Sequence, residues 1–104
     1  MITGIYLDID KETKRITSPS IRFGKLPRLI LLGKKYAIVR QPGEQVCDTG
    51  KVTYIPTTWY LLEIEQESNN RFKVVKIVLE EEPGMKWRKC YSHMCQQLVD
   101  LETA

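Results

Sequence analysis

The place in this chain where reactive side chains crowd together is Cys90-Tyr-Ser-His93-Met-Cys95. Thiolates and imidazole are the usual zinc ligands, and Cys47 would supply a fourth. The spacing argues against a shared ion. Trp87, Cys90, Tyr91, Met94, Leu98 and Leu101 recur at three- and four-residue steps and predict an amphipathic helix from about Met85 to Leu101. On it Cys90 faces the core, while His93 and Cys95 lie on the two flanks, about 160° apart. A single tetrahedral centre cannot join them, so no metal is expected.

Nucleophilic or acid–base catalysis finds equally little to work with. His93 is the single histidine, no nucleophile motif flanks it, and Lys89 is the other basic group near Cys90 and Cys95. The six glycines, Gly4, Gly24, Gly33, Gly43, Gly50 and Gly84, are scattered, so neither a phosphate-cradling loop nor a dinucleotide fingerprint can be written. Glu80-Glu81-Glu82 reads as a solvated strand end. No enzyme activity, catalytic residue or cofactor is expected.

The remaining lead is charge. Between residues 11 and 40 stand Lys11, Lys14, Arg15, Arg22, Lys25, Arg28, Lys34, Lys35 and Arg40 against Glu12 alone, which is +8 there and −5 elsewhere, summing to the chain's +3. Phe23 and Tyr36 are interleaved with these cations. The candidate binding residues are therefore Arg22, Phe23, Lys25, Arg28, Lys34, Lys35, Tyr36 and Arg40. Cations that track phosphates beside rings that stack on bases suit a single-stranded nucleic acid. The same cations suit an acidic protein surface, and on strand edges they also discourage edge-to-edge aggregation. The leading expectation is a small non-catalytic binding or regulatory protein that docks onto an acidic surface of a protein partner. The alternative is a binder of single-stranded DNA or RNA.

These residues must be held by strands. Ile5, Leu7 and Ile9 alternate with polar residues as in a half-buried strand, Asp10 to Lys14 is a turn, and Arg15 to Thr17 is a short second strand before Ser18-Pro19-Ser20 breaks the pattern. Arg28 to Leu32 and Lys35 to Arg40 form a hairpin about a Gly33-Lys34 turn, with glycine first as a type II′ turn requires. Gln41 to Gly50 is expected to be an irregular, exposed loop. Lys51 to Gln66 and Arg71 to Glu82 then pair about Asn69-Asn70 in a type I′ turn with positive φ at Asn70. That register sets Ile64 opposite Val75, Leu62 opposite Ile77 and Tyr60 opposite Leu79 on one apolar face. The other face pairs Glu63 with Lys76 and Leu61 with Val78. Pro56 marks an interruption of the strand.

Trp59-Tyr60-Leu61, with a hairpin and Arg71-Phe72 after it, resembles the signature of the ligand-sensing WYL domains of bacterial regulators over about twenty residues. The upstream sheet and basic pocket of such a domain cannot be placed here, and an aromatic-rich strand accounts for the tripeptide.

At 104 residues, 42% hydrophobic and 28% charged, the chain suits one folded domain. The expected class is α+β: a mainly antiparallel sheet of about five or six strands, curled or closed into a partly open small barrel, with one C-terminal amphipathic helix. Its longest uncharged apolar run, Leu29 to Gly33, is about a quarter of the ~20 residues a membrane-spanning helix needs. With no signal-peptide layout and an odd set of three cysteines, Cys47, Cys90 and Cys95, the expected location is cytoplasmic, with reduced thiols and no membrane.

Overall fold

The structure is a computed structural model that describes residues 6–17 and 26–104. The residues expected to break the pattern at Ser18-Pro19-Ser20, the first strand residue Ile5, and the candidates Arg22, Phe23 and Lys25 lie outside them. The strands are β1 (Tyr6–Asp10), β2 (Arg15–Ile16), β3 (Arg28–Leu32), β4 (Tyr36–Gln41), β5 (Glu44–Asp48), β6 (Lys51–Ile55), β7 (Thr58–Gln66) and β8 (Arg71–Glu81). A 3₁₀ turn at Gly84–Lys86 leads into helix α1 (Trp87–Thr103). Six strands form one antiparallel sheet in the order β2-β1-β8-β7-β4-β3, whose end strands β2 and β3 approach each other, so the sheet is nearly closed into a barrel. The expected α+β architecture is thus the observed one.

Two apolar clusters explain why the middle strands read as continuous hydrophobic runs. Leu7, Ile9, Ile16, Ala37, Val39, Tyr60, Leu62, Ile64, Phe72 and Val74 fill the barrel. Ile38, Trp59 and Leu61, on the outer face, meet Cys90, Met94 and Leu98 of α1. Strands β4 and β7 are therefore buried on both faces, and the second face of the β7–β8 hairpin, expected to carry a mixed surface, packs on the helix-side cluster at Leu61 and Val78 while Lys76 stays exposed.

Bulges reconcile strict alternation with two clusters. In β3 the register shifts between Leu29 and Leu31, and both Ile30 and Leu31 turn to the helix side. Two further shifts in β7–β8 leave Leu62 opposite Ile77 and Glu63 opposite Lys76, as expected, but set Ile64 opposite Val74, Tyr60 opposite Glu80 and Leu61 opposite Leu79. The turn also differs. Asn70 has no positive φ, and Glu67 N–H and Ser68 N–H both donate to Arg71 O (2.9 and 3.3 Å), closing a wider loop. Asn70 O is turned to β1, where it accepts from Ile9 N–H (2.7 Å).

The β3–β4 turn likewise moves by one residue. Gly33 N–H donates to Tyr36 O (2.8 Å), which puts Lys34 and Lys35 at the centre, and Gly33 has no positive φ. Its bareness serves a close approach instead: a Cβ there would fall onto the Glu102 carboxylate. Glu102, in the last turn of α1, accepts from Lys35 N–H (3.3 Å) and clasps the helix end to the hairpin.

The largest departure is the expected loop from Gln41 to Gly50. It supplies strand β5 and the turn of a separate hairpin, β5–β6, which pairs with no other strand among the described residues and turns at Thr49 and Gly50 with φ of 47° and 79°, the type I′ signature. The chain re-enters the barrel through Pro56-Thr57, where the sequence marked an interruption, and Gly43 N–H donates to Thr57 Oγ1 (3.1 Å) at the base.

Candidate functional site

The basic stretch divides in space. Arg28 and Arg40 are cross-strand partners at one end of β3–β4. Lys34 and Lys35 occupy the turn at the other end, about 20 Å away at the ~3.3 Å rise of a strand residue. Around that turn the cleft wall carries Glu63 and Glu65 as well as the two lysines, so its charges offset. Tyr36 is half-buried against the helix-side cluster, and its ring is not presented as a free stacking surface.

At the Arg28 end the cations converge. A cleft of about 380 Å³ at the seam between β2 and β3 is lined by Lys14, Arg15, Arg28 and Arg40, with Leu26, Pro27, Leu29 and Pro42 among its apolar walls and no acidic side chain among its described residues. Local sequence sets Lys14 there. Asp10 Oδ1 accepts from Glu12 N–H (2.9 Å) and Thr13 N–H (3.4 Å), folding the β1–β2 loop, and Lys14 closes it in the left-handed region at φ 56°. These two amide hydrogen bonds hold the Asp10 carboxyl below the ordinary carboxylate range.

A second cleft, of about 410 Å³, adjoins the first through Arg40. It lies at the foot of the β5–β6 hairpin and is lined by Tyr54, Pro56, Trp59, Glu82 and Trp87, among others. Trp87 lies nearly parallel to the buried Trp59 (centroids 6.1 Å apart, 13° between planes), and the Arg88 guanidinium stands over the Trp87 ring at 5.3 Å. Exposed apolar side chains gather here: Tyr54 is 66% exposed, Val52 on the same hairpin face 63%, Trp87 43% and Met85, next to Gly84, 99%, whereas Val46 (40%) is on the opposite face of the hairpin. Sequence reasoning missed this surface because Val52 and Tyr54 were expected in a strand of the β7–β8 hairpin and a loop was expected where β5 supplies their partner strand. The signal was there: the residues flanking Asp48-Thr-Gly50 are strand formers.

Comparison of the chain with protein-family models, with curated proteins and with solved structures found no match.

Of the thiols, exposed Cys47 lies opposite Val52 on the β5–β6 hairpin, whereas Cys90 and Cys95 belong to α1. Helix α1 runs unbroken through the cysteine–histidine segment, with Cys90 buried, Cys95 half-buried and His93 exposed. Burial, and then the nearby Glu81 carboxylate, push the Cys90 thiol up to about 12, so it is protonated at neutral pH and is not a nucleophile. Hydrogen bonding to Cys95 raises the Tyr91 hydroxyl above its ordinary range. Among the described residues no helix is long and apolar enough to cross a membrane.

Proposed function

We propose that this protein is a non-catalytic binding module that docks onto an acidic surface of a protein partner through its Arg28–Arg40 end. One observation carries the reading: among the described residues the β5–β6 hairpin pairs with no other strand, and it exposes Val52 and Tyr54 on one face, where Tyr54 lines a cleft with Trp87, two residues from exposed Met85, beside the four-cation cleft. An unsupported two-stranded hairpin is marginal in water, so apolar residues on it are best stabilised by what covers them. Trp, Tyr, Met and Arg together are also the side chains that dominate protein interfaces. Of the residues singled out in the sequence, Arg28 and Arg40 belong to this surface, whereas Lys34, Lys35 and Tyr36 do not.

The cleft of Lys14, Arg15, Arg28 and Arg40 beside two exposed rings also favours a second reading, a single-stranded nucleic acid. Aliphatic Val52 and Met85 have no counterpart in such a ligand, which places it second.

The test is recovery of the tagged full chain from its cell of origin, with bound protein and nucleic acid both quantified. A protein captured by the wild type, lost with Arg28→Glu and with Val52→Ser/Tyr54→Ser, and kept with Lys34→Glu/Lys35→Glu, is the expected result. Bound nucleic acid whose log affinity falls linearly with log salt, by about −0.7 per phosphate contact, would transfer the function to the second reading.

A further inference from the structure

The two clefts share a wall, and the sharing implies a pattern in what they bind. Arg40, on the outer face of β4, is the cross-strand neighbour of Arg28 on one side and of Trp59 on the other. Among its described residues the first cleft offers four cations and no carboxylate, so each of these charges attracts an anionic group. The second offers the Tyr54 and Trp87 rings, the latter backed by buried Trp59, with one cation and one carboxylate, Arg40 and Glu82, and so suits a large flat side chain without net charge. At about 380 and 410 Å³ each takes one or two side chains, not a folded surface. Neighbouring strands are about 4.8 Å apart, which sets the two clefts about 10 Å apart across Arg28, Arg40 and Trp59, a span that an extended chain covers in about three residues.

We propose that the composite site reads one short extended segment of a protein partner, bearing an aromatic side chain and, about three residues away, a pair of carboxylates. The inference rests on the docking reading above and supplies the chemistry of the partner. The aromatic group enters between Tyr54 and Trp87; the carboxylates meet Arg28, Lys14 and Arg15, and Arg40 stands between them.

Selection of random heptapeptides displayed on phage against the immobilised full chain tests it, in parallel with Arg28→Glu and Trp87→Ala variants whose unchanged circular dichroism confirms folding. The expected outcome is enrichment of peptides with Phe, Tyr or Trp about three residues from two acidic positions. Arg28→Glu should abolish the acidic preference and keep the aromatic one, and Trp87→Ala should do the reverse. A synthetic peptide of the selected pattern should lose about ten-fold or more in affinity when its acids are replaced by Lys. Enrichment of peptides lacking this spacing, or an acidic preference that survives Arg28→Glu, overturns the inference and leaves the docking reading standing. No peptide enriched, together with tight binding of oligothymidylate, overturns both.

Discussion

Cys90 and Asp8 show how far a side chain's chemistry depends on what packs beside it. Helical phase alone placed Cys90 on the core face, but its contact with Glu81 depends on where β8 ends relative to the start of α1. With that thiol pushed up to about 12 and Cys47 exposed on β5, a thiol-specific reagent at neutral pH should label Cys47 first and Cys90 only after denaturation. Equal labelling rates in the folded protein would contradict the burial of Cys90. Asp8 joins Arg71 across the β1–β8 ladder, accepting from its Nε at 2.8 Å and Nη2 at 3.3 Å. That hydrogen bond, with the guanidinium charge, holds the Asp8 carboxyl below its ordinary 3.8, and Asp10 is lowered by its loop amides. As pH falls the unfolded chain takes up these protons first, so the stabilisation is complete above about pH 4 and is lost as pH falls through the folded-state values. The melting temperature of Asp8→Asn should accordingly depend less steeply on pH than that of the wild type between about pH 5 and pH 2. Parallel curves would mean that Asp8 is not coupled to folding.

Among the elements, the turns carry the sharpest predictions, because φ decides the sign of a glycine substitution. Gly50 stands at φ 79°, so Gly50→Ala should cost the β5–β6 hairpin about 1–2 kcal/mol, read as faster amide exchange in 44–55. Asn70, having no positive φ, gains nothing from glycine: Asn70→Gly should destabilise by about 0.4–1 kcal/mol in urea unfolding, through the extra freedom of the unfolded chain. A stabilising Asn70→Gly would restore the two-residue turn that the Asn-Asn pair suggests. The clasp between Gly33 and Glu102 should behave as a unit. Gly33→Ala displaces the carboxylate that Lys35 N–H donates to, so Gly33→Ala and Glu102→Ala, each worth about 1 kcal/mol, should together cost clearly less than their sum.

Over the whole molecule, the decisive fact is that the central strands are sandwiched between a filled barrel and a helix. Met94 is fully buried against Ile38, Trp59 and Leu61, and Met94→Ala should cost about 2–5 kcal/mol by equilibrium unfolding, whereas Val99→Ala, on the 52% exposed side of α1, should cost under about 0.5 kcal/mol. Similar costs at both positions would mean that the helix does not pack as described. Local sequence determined the elements: alternation made β1 legible, helical periodicity made α1 legible within two residues at each end, and Pro56 marked the break between β6 and β7. These are short-range signals, written in the period of side chains along one backbone. The Gln41–Gly50 segment misled because Pro, Gly and Asp count as loop formers unless the cross-turn pairs Val46–Thr53 and Cys47–Val52 are weighed together. Likewise, thirty residues dense in cations said that a basic surface exists but not that Arg28 and Arg40 would meet Lys14 and Arg15 while Lys34 and Lys35 pointed away. Tertiary structure decided that, because strand pairing and the near-closure of β2 on β3 bring together groups far apart in the chain, and the same geometry sets an exposed aromatic cleft against them.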